Sequence, residues 1–320
     1  MTTLTRWWSS PPPVVGLEVS ATRVTGVVLA GRGADRSVSQ YVSEVLPAGA
    51  VVPALTADNV TDRVAVARAV QAVLEQLGRP KRVALVVPDG AAKVSFVRFD
   101  KVPGRAEDLA QMVRWQVRKS VPFPIESAQI GFMPSLDVDR GGREFVVVVM
   151  RRDVVESYES LVRGAGAHPG IVDLASFDLV NLVLASDRRN GQAVTDDWLL
   201  VHLTAHASTL GLVRSGQLVF YRSRLGDGQE PLIDLVHQTA MYYQDRLGGH
   251  GFGRVILAAA SDALAVEGAD VRRTLEERLE STVELLDPSK AARMGDRVPS
   301  DPEDRVAMTP ALGVLLREVA

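Results

Sequence analysis

Cysteine is missing from this 320-residue chain, which excludes a disulfide framework and any thiolate metal site. Histidine is nearly as scarce, and the five present are scattered too widely to suggest a zinc cluster. A reducing compartment fits this composition best. Long apolar runs are lacking too. The most apolar, Phe145 to Met150, is bounded by Arg143 and Arg151. It falls far short of the ~20 residues a helix needs to span a bilayer, so no membrane crossing is expected. The N-terminus, Met1 to Pro13, has no apolar signal core, and its proline run is expected to hold an extended cytoplasmic tail. Nor does one charge dominate: a net charge of −3 and a pI near 6.0 give no overall attraction to nucleic acid or anionic lipid.

What is present is a globular α/β pattern. A hydrophobic content of 46% with long Val and Ala runs supports strands buried on both faces, and 23% charged residues exclude a disordered chain. A chain of this length buries roughly three quarters of its unfolded surface and usually resolves into two lobes or more. Two stretches, Val14 to Leu29 and Leu199 to Val213, read alike as strand, tight turn and returning strand. A hairpin heading each half suggests a duplicated domain facing itself across a cleft. In nucleotide-binding versions of such a cleft, each turn carries an acidic residue to hold the metal and a glycine that lets backbone N–H groups close on phosphate. Here the first turn has Glu18 and Ser20, and the second has His202 and Thr204.

Between the hairpins, Thr61 to Leu77 reads as a helix with Val66, Val70, Val73, Leu74 and Leu77 on one stripe, ended by Gly78 and Pro80. Val83 to Val87 is a buried strand. A distinct β-α-β-β-α block follows: Val94 to Phe99, Ala106 to Lys119, Ala128 to Leu136, Glu144 to Met150, and a helix from Asp153 to Gly164 whose Asp-Val-Val-Glu start resembles a capping box. After a helix near Phe177 to Ala185, the polar stretch Asp187 to Asp197 marks the boundary between lobes. The second half repeats the first: strands to about Tyr221, a helix Pro231 to Leu247, strand Arg254 to Ala258, helix Val271 to Leu279, strand Val283 to Leu285 and a last helix beyond Asp304.

Several segments, in order, resemble the PilM family of type IV pilus machines, which is related to the division protein FtsA and to the cytoplasmic part of the secretion protein GspL. They are Val113-Arg114-Trp115-Gln116, Val121-Pro122-Phe123-Pro124-Ile125, Asp153 to Tyr158 with Gly164-Ala165-Gly166, Val172-Asp173, Ser176-Phe177, and Tyr243 to Gly249. The resemblance implies an α/β, actin-like, two-lobed fold with two RNase-H-like subdomains and an inserted β-α-β-β-α subdomain. It divides the chain into a tail (1–13), a first RNase-H-like subdomain (14–91 and 169–195), the insertion (92–168) and a second lobe (196–320). The direct passage from Leu247 to Gly248 leaves a second-lobe insertion reduced or absent.

Carried over position by position, the family's nucleotide pattern has eroded. Its first hairpin usually reads Asp-Ile-Gly-Ser with a later Lys; this chain has Glu18, Val19, Ser20 and Ala21, with Thr25 at the Lys position. Its second reads Asp-Ile-Gly; here stand His202, Leu203 and Thr204. Where a glycine pair usually meets adenosine, this chain has Ala258-Ala259-Ala260. A charge-assisted hydrogen bond to phosphate or metal-bound oxygen is worth roughly 1.5–3 kcal/mol. Doing without three of them would weaken nucleotide binding by about 5–9 kcal/mol, on the order of three to six powers of ten. The expectation is therefore no cofactor, with ATP and Mg²⁺ bound weakly if at all.

Individual residues carry a plain reading beside a sharp one. His202 reads first as a tolerated core histidine, since no partner carboxylate is evident, and second as a base facing the cleft. Glu18 is a solvated remnant if the cleft is open and a partner of Arg23 if it is closed. Trp115, with Leu109, Met112 and the aliphatic part of Gln116, reads as a core face before a docking face, and Arg114, Arg118 and Lys119 as the solvated side of the same helix. Pro122 and Pro124 stop that helix near Ser120, and Phe123 is expected to plug the junction between subdomains. Trp7 and Trp8 suit the surface or a lipid headgroup layer.

By resemblance, the chain is a cytoplasmic adaptor, peripheral to the inner membrane, that binds the N-terminal cytoplasmic peptide of PilN. The groove is expected along Val94, Phe96, Val97 and Phe99, with Met112, Trp115 and Phe123. Contacts to other pilus platform proteins, motor ATPases or a second copy stay open. An actin-like ATPase and a GspL-like secretion component are the alternatives.

Overall fold

The computed structural model describes residues 13–31, 33–138, 142–192, 197–226, 232–259 and 271–317. Trp7, Trp8 and Ala260 lie outside them.

The first half opens with β1 (Val15–Val19), β2 (Arg23–Ala30) and β3 (Ser37–Val45), followed by α1 (Arg63–Gln76) and β4 (Arg82–Val87). Asp62 caps α1 by accepting the Ala65 N–H at 3.0 Å, and the predicted stripe of Val66, Val70, Val73, Leu74 and Leu77 is buried, joined by Ala69. Asp62→Ala is expected to cost about 1 kcal/mol of stability, measurable by chemical denaturation. The insertion comprises β5 (Ala92–Phe99), α2 (Ala106–Val117), β6 (Ala128–Val138), β7 (Gly142–Arg151) and α3 (Arg152–Gly164). The chain then returns through β8 (His168–Leu174) and α4 (Ala175–Arg189).

The second half runs β9 (Trp198–Thr204), β10 (Ala207–Arg214), β11 (Gln217–Leu225), α5 (Leu232–Leu247), β12 (Arg254–Ala259), α6 (271–279), β13 (Val283–Leu285), β14 (Arg293–Met294), α7 (Pro302–Ala307) and α8 (Thr309–Leu316). Only Gly248 to Gly253 separates α5 from β12.

The two large sheets repeat one topology. The five-stranded sheet runs β11-β10-β9-β12-β13; the six-stranded sheet runs β14-β3-β2-β1-β4-β8, the same pattern with one strand added at its edge. In each, the first three strands form an antiparallel meander and the next two lie parallel to the first. That is the RNase-H-like arrangement, so the chain is a two-lobed, actin-like α/β fold. A three-stranded sheet, β5-β7-β6, forms the insertion.

Packing departs from the sequence-based expectation in several places. The insertion's helix α3 buries Val154, Tyr158, Leu161 and Val162 in the main core beside Val66, Val70 and Val73 of α1, so it adheres to the first lobe more than to the small sheet. Its start differs too. The helix begins at Arg152, and the Asp153 carboxylate binds Arg151 and accepts the Val154 N–H at 2.9 Å instead of closing a capping box.

The chain's last segment also returns to the first lobe. Strand β14 pairs with β3, and α8, buried at Thr309, Pro310, Ala311, Leu312, Gly313, Val314 and Leu316, packs on β1, β4 and α4. An eight-residue helix that is apolar all round must be enclosed on every side, and the slot between the first sheet and α4 provides that enclosure. The lobes themselves share one apolar cluster, in which Trp198, Leu200, Val213 and Leu218 join Leu17, Leu85, Val146 and Phe177.

Candidate functional site

The two hairpin turns face each other across a cleft also lined by Pro53, the Pro88-Asp89-Gly90 turn after β4, Ala175 and Leu179 of α4, and Thr309 and Pro310 of α8. Each turn is internally closed in the same way. The Ser20 hydroxyl accepts the N–H groups of Arg23 (3.1 Å) and Thr22 (3.4 Å) and donates to the Arg23 carbonyl (3.0 Å). The Thr204 hydroxyl accepts those of Ala207 (3.0 Å) and His206 (3.4 Å) and donates to the Ala207 carbonyl (3.2 Å). Hydroxyl residues are suited to such local turns. The N–H groups of Thr22 and Arg23 in the first turn, and of His206 and Ala207 in the second, are thus engaged by the chain itself.

Behind the turns, β1 pairs Glu18 with Thr25 across the ladder to β2, and Thr25 is fully buried with its hydroxyl 3.5 Å from that of Ser43. Glu18 is 9% exposed. Burial pushes its carboxyl up to about 8; Arg23 pulls it down and Asp89 pushes it further up, and burial prevails. Glu18 is therefore not the solvated remnant of the open-cleft reading; Arg23 acts on it as the closed-cleft reading expects, but desolvation outweighs the arginine. Ala259 is buried in β12, opposite Leu203 of β9.

His202 has a carboxylate partner after all. Its Nδ1 lies 3.1 Å from Oδ2 of Asp89, and both side chains are buried. The other Asp89 oxygen accepts the Ser176 N–H at 3.0 Å and the Ser176 hydroxyl at 2.8 Å; that hydroxyl also lies 3.1 Å from the Tyr221 hydroxyl. Burial alone would raise the Asp89 carboxyl, but the bonds from His202 and Ser176 and the histidine's charge hold it below the usual carboxylate range. Tyr221 is pushed well above its ordinary value, first by burial and then by the Asp89 charge, and meets Phe177 edge-on at 5.6 Å.

Serine, histidine and aspartate here do not form a nucleophilic triad. The carboxylate sits between the other two, and the serine hydroxyl donates to it instead of to the imidazole. Sequence reasoning missed Asp89, which lies 113 positions from His202. The one local signal was the Pro-Asp-Gly turn that ends a buried strand.

The expected groove residues are spread over separate surfaces. Strand β5 alternates: Val97 and Phe99 lie in the insertion's own core, whereas Val94 and Phe96 pack against the main core. Phe123 is half-buried against the insertion core instead of plugging a junction between subdomains. The core side of α2 is Val113 and Val117. Met112 and Trp115 therefore face outward, 37% and 73% exposed, which overturns the core reading of Trp115. Arg114 leaves the basic ridge by donating to the Ile125 carbonyl at 2.7 Å, while Arg118 and Lys119 stay exposed.

Among the described residues, no three His, Asp or Glu side chains converge as metal ligands would, and no helix is long and apolar enough to cross a membrane. Residues 16–245 match the family described as type IV pilus assembly protein PilM. The fold is similar to that of a PilM–PilN type IV pilus biogenesis complex, with a TM-score of 0.74 and 17% identity over 95% of this chain and 96% of that one. It is also similar to the cytoplasmic domain of EpsL, an inner-membrane component of the type II secretion system of Vibrio cholerae, with a TM-score of 0.51 and 11% identity over 95% of each chain.

Proposed function

This chain belongs to the PilM family of type IV pilus assembly proteins, and from that membership we propose that it is an adaptor that binds the N-terminal cytoplasmic peptide of a PilN-type membrane protein. Membrane association is then indirect, through that partner. The similar solved structure is a PilM–PilN complex, and the observation that carries the reading here is the outward pair on α2. Trp115 lies opposite the helix's packed stripe and Met112 on its flank, both exposed on the outer face of α2. Val97 and Phe99 support α2 from its packed side, within the insertion's core.

The cleft supports a scaffold over an ATPase. A magnesium nucleotide needs a charged carboxylate, a cation and free backbone donors around the phosphates. Here burial pushes the acid of the first turn up to about 8, Thr25 occupies the lysine position, and the hydroxyls of Ser20 and Thr204 each accept two N–H groups of their own turn. These residues do not fit the group.

Isothermal calorimetry tests both halves of the reading. Titration of a synthetic PilN N-terminal peptide is expected to give binding that weakens at least 30-fold in Trp115→Ala, in line with the ~2 kcal/mol of an aromatic hot spot, and clearly in Met112→Glu. Unchanged affinity in both variants would remove the site from α2. Mg-ATP is expected to give no micromolar binding; a micromolar heat of binding would overturn the scaffold reading.

A further inference from the structure

We propose that the Asp89 carboxylate is an internal bridging anion, a latch that holds the two lobes closed over the cleft with no ligand present. Its environment is that of an anion site. One oxygen sits on the N-terminal turn of α4, a helix of 15 residues, taking the Ser176 N–H and hydroxyl; such a turn favours negative charge. The other oxygen takes Nδ1 of His202, which comes from β9 of the opposite lobe. Donors from both lobes therefore converge on one carboxylate that belongs to neither a substrate nor a cofactor.

The neighbourhood is built around that closure. Tyr221, from β11 of the second lobe, reaches Ser176 and packs edge-on against Phe177, both of α4 in the first lobe. The turn carrying Asp89 approaches β11 so closely that a Cβ on Gly90 would lie 2.8 Å from Leu225. At the far end of α4, Arg254 of β12 binds Asp187 at 2.9 Å and Glu284 of β13 at 2.9 Å, tying the same helix to the second lobe again. Helix α4 is thus fixed at both ends. His202, at the position where the first-half repeat carries Glu18, has exchanged a cleft-facing acid for a donor that reaches across.

The absence of cysteine makes the test direct. Thr22→Cys and His206→Cys place single thiols on the two facing turns, and paired spin labels report the distance across the cleft. The otherwise unaltered chain is expected to give one narrow distribution that Mg-ATP does not shift. His202→Ala is expected to broaden or lengthen it, while His202→Gln, which keeps a donor, stays close to the parent. Asp89→Ala is expected to broaden it as well, and 100 mM formate to narrow it again, with no effect of formate on His202→Ala. A distribution in His202→Ala identical to the parent overturns the latch, even if Asp89→Ala fails to fold. So does an Asp89→Ala distribution that formate leaves unchanged.

Discussion

Gly313→Ala is expected to lower the melting temperature by at least 5 °C, and Gly313→Val to prevent stable folding of the first lobe. A Cβ at this position would lie 1.9 Å from the Asp178 carbonyl oxygen and 2.6 Å from its carbon. These are backbone atoms of α4, so no side chain can rotate away. On the opposite side of α8, a Cβ on Gly16 of β1 would meet the Ala311 carbonyl oxygen at 1.9 Å. The two glycines set the width of the slot that holds α8. Overpacking in ordinary cores costs about 1–3 kcal/mol, and here the strain falls on two rigid elements at once, so the cost lies at or above the top of that range. Against a total stability of roughly 5–15 kcal/mol, valine takes a large share. Displacing α8 also uncovers Leu312, Val314 and Leu316 together. Gly164→Ala is the control, because nothing lies within 4 Å of its Cβ position. Circular dichroism melts of the three variants decide the matter: a Gly313→Ala melt within a degree of the parent would show that the slot is not tight.

The paired hairpins could be read from the chain because they depend on local signals: apolar runs, turn residues and a repeated spacing. The insertion's β-α-β-β-α order followed for the same reason. What sequence could not give was long-range choice between equivalent local patterns. Helix α2 carries two overlapping apolar stripes, Leu109-Val113-Val117 and Leu109-Met112-Gln116 with Trp115 beside it. Only the small sheet's capacity decides between them, and it is filled by Val113 and Val117. The last helix was expected beyond Asp304 with no packing partner assigned, and its slot is defined by glycines nearly 300 positions apart, Gly16 and Gly313. His202 looked unpartnered because its carboxylate lies in the other lobe.

At the candidate site, residue identities were legible and their consequences were not. Ser20 and Thr204 stand where the family's pattern has glycine. The structure shows what each hydroxyl does there: it accepts two N–H groups of its own turn. Glu18 stands at the family's aspartate position, and burial pushes its carboxyl up to about 8.

That charge state gives the second large effect: Glu18→Gln is expected to stabilise the protein more and more as pH rises from about 5 to above 8. In the unfolded chain this carboxyl ionises near its ordinary value of 4.5, whereas in the fold it keeps its proton up to about 8. Over that window the native state binds more protons than the unfolded state, so stability falls as pH rises. The gap of the two values corresponds to about 5 kcal/mol, reached in full above pH 8. Asp178, raised first by burial and then by the charge of Asp173, adds a slope of the same sign, and Glu18 is itself among the groups that raise it. Asp89 acts the other way, since its lowered carboxyl stabilises the fold above the unfolded value and loses that contribution only as pH falls into the acid range. Glutamine keeps the shape of Glu18 without the titration, so the variant's stability curve is expected to be flatter, with the two proteins alike near pH 5 and separated by several kcal/mol at pH 8.5. Urea denaturation at pH 5, 7 and 8.5 measures this directly. A pH-independent difference between them would mean that Glu18 is charged and solvated in the cleft, and the same result would restore it as a competent ligand for a divalent cation.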